Sequence, residues 1–365
     1  MLMARNALLE VNLAATPAAV AADWRALAER ALVPAGLNGP ELLLPQLECA
    51  RAARLATVSA AGELLLAMPL VGRRPGLLGS LITPLRPSGL AHVDGEMAAA
   101  ALEALLAASG RPMLLRGIPA EGPFWAALTA AAGRLAVLSR WQRAALRPSG
   151  DFEGWYQRNI DGKRRKEYRR LRARLAGEGP VTLHELAPGG NLQPFMAELL
   201  TLEAAGWKGR RGTAIACDPS LAAVFTAACE GLHCAGKLRF WSLRCGARTI
   251  ASLYAVKEGD TLWLGKIAYD EEFARFSPGV LLILDVTARI FAEPAIRLAD
   301  SCAIPGHPMI DHIWRDRIAM ADIMMASPAI GAMRFAVLAT IERLRRGVRG
   351  ALRDALYRLA GRRRS

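Results

Sequence analysis

No stretch of the 365 residues reaches 18 consecutive uncharged apolar positions, so no membrane-spanning helix is expected. The amino-terminal stretch carries Glu10 and Asp23 inside its apolar run and lacks the charged start and clean hydrophobic core of a secretory signal; the expected location is the cytoplasm. Cysteine is scarce, six in all, and no two are spaced as a C-x-x-C knuckle. Reduced core thiols are therefore expected in place of a disulfide framework, and no metal site, although Cys229, His233 and Cys234 lie close together. The chain has no G-x-S-x-G elbow, no phosphate loop ending in Gly-Lys-Ser/Thr, no H-E-x-x-H and no dinucleotide G-x-G-x-x-G. Hydrolase, kinase and dehydrogenase readings fall with them.

What is present is a globular composition, 53% hydrophobic and 22% charged, at a length that suits about two domains. Lys and Arg number 47 against 33 Asp and Glu, a formal charge of +14. Nearly all of the surplus sits in two runs. Lys163 to Arg174 holds eight basic residues and one acid, and residues 329–365 hold ten arginines against Glu342 and Asp354. Like charges at helical spacing repel, so at least one run is expected to meet a polyanion: phosphates, acidic lipid or nucleic acid. The aromatics in these runs are few, Tyr168 in the first and Phe335 and Tyr357 in the second, and no regular interleaving suggests base stacking, so the charge argues for phosphate contact and says nothing about bases.

A polar, turn-rich break from Arg147 to Asp151 predicts a first domain over 1–150, a second over 151–328 and a basic helical tail over 329–365. In the first, the spacing predicts a hairpin (54–59 and 63–70), helices at 96–109 and 124–132, and strands at 112–116 and 135–138. In the second it predicts a basic helix at 163–176, a strand at 181–186, helices at 192–205 and 221–232, and a three-stranded antiparallel meander over 238–245, 249–257 and 261–268. A helix opened by Ser277, Pro278 and Gly279 then runs to about Phe291, before a short strand at 296–299. The fold class is α/β, of the α+β kind. The glycine turns in AGELLLAMPL and CGARTIASLY, around Gly62 and Gly246, are alike and fit two domains of one fold. In the tail, Val337, Ile341, Leu344, Val348, Leu352, Ala355 and Leu359 form an apolar stripe with Arg346, Arg349 and Arg353 across from it. That helix either lies on an anionic membrane surface or docks its stripe on the second domain.

The first-turn amides of the helix at Ser277 have no helical partner and sit at the positive end of its dipole, a place where an anion such as pyrophosphate binds. Acid–base candidates are Glu203, Lys208, Asp300, His307 and His312, with His307 expected beside Asp300 as a base. Glu203 precedes Gly206-Trp207-Lys208-Gly209, whose composition suits an acceptor pocket that includes Trp207 and Arg210. The competing reading makes Gly206 a helix cap and Trp207 a core anchor.

Three stretches, GKRRKEYRRLRARL from Gly162, LEAAGWKGRRGTA from Leu202 and KIAYDEEFARFSPGVLL from Lys266, resemble acetyltransferases of the GNAT superfamily. Within it they look like the CelD/BcsL-like group associated with cellulose biosynthesis. The resemblance implies tandem GNAT-like domains, each a mostly antiparallel mixed sheet flanked by helices, with a degenerate first copy. It implies an acetyl-CoA or other acyl-CoA donor whose pantetheine lies along Lys266 and Ile267 and whose pyrophosphate meets Arg275, Ser277, Pro278, Gly279 and Val280. The implied acceptor is an amine or hydroxyl of a small molecule or an envelope glycan. Arg275-Phe-Ser-Pro-Gly279 departs from the usual Arg/Gln-x-x-Gly-x-Gly/Ala loop, with one glycine and altered spacing. Two alternatives follow: the related Fem-type ligases take aminoacyl-tRNA as donor, and a non-catalytic binding or scaffold protein keeps the fold without the donor site.

Overall fold

The structure, a computed structural model, describes residues 8–73, 81–86 and 90–362, with the side chains of the last helix described as far as Val348. The elements begin with β1 (Leu9–Ala15), α1 (Pro17–Arg30), α2 (Pro40–Cys49), β2 (Ala53–Ala60), β3 (Glu63–Arg73), β4 (Leu81–Pro84), β5 (His92–Val93) and α3 (Ala98–Ser109). There follow β6 (Met113–Pro119), α4 (Pro123–Ala131), β7 (Arg134–Leu146), α5 (Phe152–Asn159), α6 (Gly162–Ala176), β8 (Val181–Glu185), α7 (Gln193–Ala205) and α8 (Trp207–Arg210). The chain ends with α9 (Pro219–Cys234), β9 (Leu238–Cys245), β10 (Arg248–Glu258), β11 (Thr261–Tyr269), α10 (Pro278–Phe291), β12 (Leu298–Asp300), β13 (Asp316–Ala326) and α11 (Ala332–Arg362).

Two compact units result, and they do not follow the expected linear division at 150 and 328. One takes the residues up to Val33, Ala52–Trp141 and those from Ala319 on; the other takes Pro34–Arg51 and Gln142–Ile318. The chain passes from one to the other inside β7 and returns inside β13, because strand pairing, not sequence distance, decides membership. The break at Arg147–Asp151 is a turn within the second unit, where the Asp151 carboxylate caps α5 by accepting from the Gly154 amide at 2.7 Å. The segment carrying α2 is tied to the second unit by charge. Glu258 accepts from the amides of Ala35 and Gly36, each at 2.8 Å, and Lys237 bridges Glu258 at 3.1 Å and Glu41 at 3.4 Å. Burial pulls the Lys237 pKa down, but the two carboxylates outweigh it and hold the ammonium above its ordinary value.

In the first unit β1, β2, β3 and β4 pair antiparallel in order, the step from β4 to β6 is parallel and is bridged by α3, and β13 closes antiparallel on β6. In the second, β8, β9, β10 and β11 pair antiparallel in order, the step from β11 to β12 is parallel and is bridged by α10, and the end of β7 closes antiparallel on β12. Each is a mostly antiparallel mixed sheet flanked by helices, and the shared strand order supports the expected pair of like domains. A parallel step needs a crossover, and in each unit an apolar helix supplies it. Leu102, Leu105 and Leu106 of α3 pack on Met113 and Leu115, while Leu281, Leu282 and Ile283 of α10 pack on Trp241, Leu253 and Trp314.

The tail helix α11 docks on the first unit through Phe335, Leu338 and Ala339, which are buried among Leu81 and Met324. Its Glu342 is buried and pairs with Arg73 at 3.4 Å and Arg345 at 3.3 Å, and Arg346 turns inward to Asp322. Of the stripe's described residues, Val337, Leu344 and Val348 are exposed and Ile341 is partly buried, so the docking alternative does not hold for them as a stripe. Leu352, Ala355, Leu359, Arg349 and Arg353 lie beyond the described side chains. No single helix among the described residues is long and apolar enough to cross a membrane.

Candidate functional site

The site forms where β11 outruns its parallel neighbour. β12 pairs with β11 only from Thr261↔Leu298 to Trp263↔Asp300 and then ends, while β11 runs on to Tyr269. On the other edge the register against β10 slips between Leu253↔Ile267 and Ala255↔Leu264, so Gly265 and Lys266 together oppose Tyr254. This is a β-bulge, and it requires glycine: a Cβ at Gly265 would stand 2.3 Å from the Tyr254 ring. The bulge went unread in the sequence, though a glycine inside TLWLGKIAY is its signal.

A cavity of about 340 Å³ opens at the parting, lined by Lys208, Lys266, Ile267, Cys302, His307 and Met309 among others. A small pocket at Trp207 and Glu203 and a larger one of about 790 Å³ beside Arg210, Arg248 and Glu271 lie in the same unit. Glu203 lies at the centre. Its side chain is 1% exposed, and Oε1 accepts from Lys266 Nζ at 2.7 Å and Lys208 Nζ at 2.9 Å, while Oε2 accepts from the Ile215 amide at 2.9 Å. Burial raises its pKa, but the Ile215 amide, Lys266 and Lys208 outweigh burial and hold the carboxyl below its ordinary value. A carboxylate so engaged is a poor proton acceptor; it serves to hold two ammonium groups at the cavity, leaving one net positive charge.

The expected Asp300–His307 pair does not form. Asp300 Oδ2 accepts from Arg143 at 3.0 Å and Oδ1 from the Cys302 amide at 2.8 Å. His307 Nδ1 instead accepts from the amides of Met309 and Ile310 at 3.3 and 3.4 Å. That bonding assigns the neutral ring's proton to Nε2, so the free nitrogen is a donor where a base was expected. His312 is exposed on a short 3₁₀ turn.

Trp207 is half exposed and no core anchor. Its amide and Arg210 both donate to Glu271, at 2.8 and 2.7 Å, and Arg211 and Lys208 stack near its ring. The Arg210 and Trp207 bonds hold the Glu271 carboxyl below its ordinary pKa. At the start of α10, Ser277 makes no side-chain cap; it takes the left-handed conformation, φ +51°, and its carbonyl accepts from the amides of Val280 and Leu281. Pro278 has no amide hydrogen, so Gly279 N–H is the first-turn donor left for a ligand. Gly279 is buried, and a Cβ there would meet Met309, Ile267 and Tyr269 at 3.5–3.8 Å. Arg275 is exposed and pairs with Glu178 at 2.9 Å.

Among the described residues no group of three or more His, Cys, Asp or Glu is placed to hold a metal ion. Cys229 is buried, and burial, aided by Glu230, pushes its thiol up to about 12, the state of an inert core thiol.

Residues 162–303 match the family model for the acetyltransferase (GNAT) domain. No curated protein matches the chain by sequence. Among solved structures the chain is similar in fold to FemX, at 12% identity and a TM-score of 0.52, over 87% of this chain and 98% of that one. It is likewise similar to L-PGS from Bacillus licheniformis, at 13% identity and a TM-score of 0.54, over 88% of this chain and 95% of that one. The second unit therefore contains a GNAT-fold transferase domain.

Proposed function

We propose that the second unit transfers an acyl group from acyl-CoA, acetyl-CoA being the simplest, to an amine or hydroxyl of a small-molecule or glycan acceptor. The observation that carries this reading is the parting of β11 from β12 around a cavity on which Lys208, Lys266 and His307 converge. The residues fit the donor. The open edge of β11 at Lys266 and Ile267 offers backbone groups to an extended amide chain such as pantetheine, and Gly279 N–H with the positive end of α10 suits a pyrophosphate. The matching place in the first unit is already filled by its own anion: Asp94 accepts from the amides of Glu96 and Met97, at 3.0 and 3.1 Å, before α3 and pairs with Arg30 at 3.1 Å. This supports a degenerate first copy and a donor site in the second unit alone.

Attack of the acceptor on a thioester carbonyl builds negative charge first on oxygen and then on sulfur. The two lysines, sharing one carboxylate, stabilise that charge at the cavity. His307 Nε2–H donates a hydrogen bond to the departing sulfur as the C–S bond breaks, so that the thiolate leaves beside the two lysines, and the acceptor loses its own proton to solvent as the new C–N or C–O bond forms. An envelope glycan as acceptor rests on the resemblance to CelD/BcsL-like acetyltransferases.

A second reading, aminoacyl transfer from tRNA, is supported by α6, which exposes Lys163, Lys166, Arg169, Arg170 and Arg174 on one unit. The test presents each donor separately to the full chain with a panel of amine and hydroxyl acceptors. Thiol release from acetyl-CoA that Lys266→Ala or Lys208→Ala lowers at least roughly tenfold supports the first reading. Turnover with charged tRNA alone overturns it, and saturable acetyl-CoA binding without turnover on any acceptor supports the non-catalytic alternative.

A further inference from the structure

The tail helix has two faces of opposite kind. The face turned to the first unit is closed by Phe335, Leu338, Ala339, Glu342 and the inward Arg346. The opposite face is apolar and open: Met333 is 80% exposed, Leu344 65%, Val348 59% and Val337 37%. At 3.6 residues per turn these four lie within one narrow stripe, opposite the buried residues, and at 1.5 Å per residue the stripe is about 22 Å long. Isolated exposed apolar residues are ordinary, but four in line on a helix anchored by its other face leave a patch with nothing against it among the described residues.

The charge beside the stripe identifies what covers it. Arg334 and Arg343 are exposed and flank it on either side. Glu342, one of the two acids from residue 329 on, is buried and neutralised from within by Arg73 and Arg345. The face offered to a partner is thus an apolar ridge between cations with no described anion on it. By spacing alone the repeat continues through Leu352, Ala355 and Leu359 among further arginines. A protein partner would have to match a long ridge and its charges residue by residue, whereas a lipid surface supplies both an apolar interior and a continuous sheet of phosphates. We propose that the open face of α11 lies on an anionic phospholipid surface, with the stripe entering the acyl boundary and the flanking arginines on the headgroups. Because the buried face stays on the first unit, docking brings the folded protein to the bilayer without undoing α11.

The test is cosedimentation of the full chain with vesicles of phosphatidylglycerol and phosphatidylcholine, and with phosphatidylcholine alone, at low and high salt. The expected result is binding to the anionic vesicles only, falling roughly tenfold or more between low and high salt. Leu344→Glu with Val348→Glu is expected to lower that binding roughly tenfold or more. Both positions are solvent-facing, so an unchanged melting temperature separates lost binding from lost fold. Arg334→Ser with Arg343→Ser should weaken binding and flatten its salt dependence while leaving the stripe intact. Equal binding to both vesicle types, or none to either, overturns the proposal. So does a self-associated species in sedimentation velocity that Leu344→Glu with Val348→Glu breaks while vesicle binding is absent, since that makes the stripe a contact between copies.

Discussion

Replacing Glu203 by Gln tests whether this carboxylate is a charge hub or a base. Glutamine keeps the shape and an oxygen for the Ile215 amide but removes the charge shared by Lys208 and Lys266. Removing one partner of a buried ion pair costs about 3–5 kcal/mol. Both lysine side chains are 29% exposed, so water recovers part of that loss, and about 2–3 kcal/mol of destabilisation is expected. At about 2–4 °C per kcal/mol for a unit of this size, Tm should fall by roughly 4–12 °C. The pH dependence has a definite sign. Because the folded carboxyl is held below the ordinary 4.5, its contribution is fully present above that value and is lost as pH falls through the lowered folded one. Thermal unfolding of wild type and E203Q followed by circular dichroism should therefore show the full gap at neutral pH and a closing gap in acid. Equal melting temperatures at neutral pH, or a gap that persists unchanged into strong acid, would refute the hub.

Three further outcomes follow from the same geometry. Gly265→Ala should cost about 1–3 kcal/mol by overpacking against Tyr254, and Tyr254→Leu in the same chain should recover part of it, as a double-mutant cycle would read. Gly36→Val should lower Tm by a similar mechanism, because a Cβ there would stand 2.3 Å from the Trp263 ring and the backbone has φ +52°. His307→Ala should lower kcat about tenfold to a hundredfold with donor affinity unchanged, whereas His307→Gln, which keeps an N–H donor, should retain most of the rate; equal losses would restore the base.

The second unit was the more legible half of the chain. The meander over 238–269 and the helix after Ser277 could be read because each strand is bounded by a glycine turn and the helix opens on a proline. The parts that escaped are those whose logic is non-local. DRIAMADIMMA carries no turn signal of its own and becomes β13 by pairing with strands far back in the chain, β6 some 200 residues earlier among them. The α2 segment reads as part of the first domain until Glu258 is seen to hold its amides. At the site, Lys208, Lys266 and His307 were legible as residue types, but their roles were not. Asp300 and His307 looked like a pair from spacing, yet the partner of Asp300 is Arg143, on β7. In the tail, the sequence left open which face of α11 the fold buries, because the answer depends on Glu342 and Arg346, polar residues that find their partners in Arg73 and Asp322.

The central claim is that the parted strands and the start of α10 form an acyl-CoA site in the second unit. Calorimetric titration of the full chain with acetyl-CoA tests it most directly, alongside Gly279→Glu, which sets a carboxylate where the phosphate charge would lie. The account predicts one saturable site per chain in the wild type and its loss in a Gly279→Glu protein that still melts cooperatively. Absence of binding to wild type, or undiminished binding to the folded variant, would contradict it.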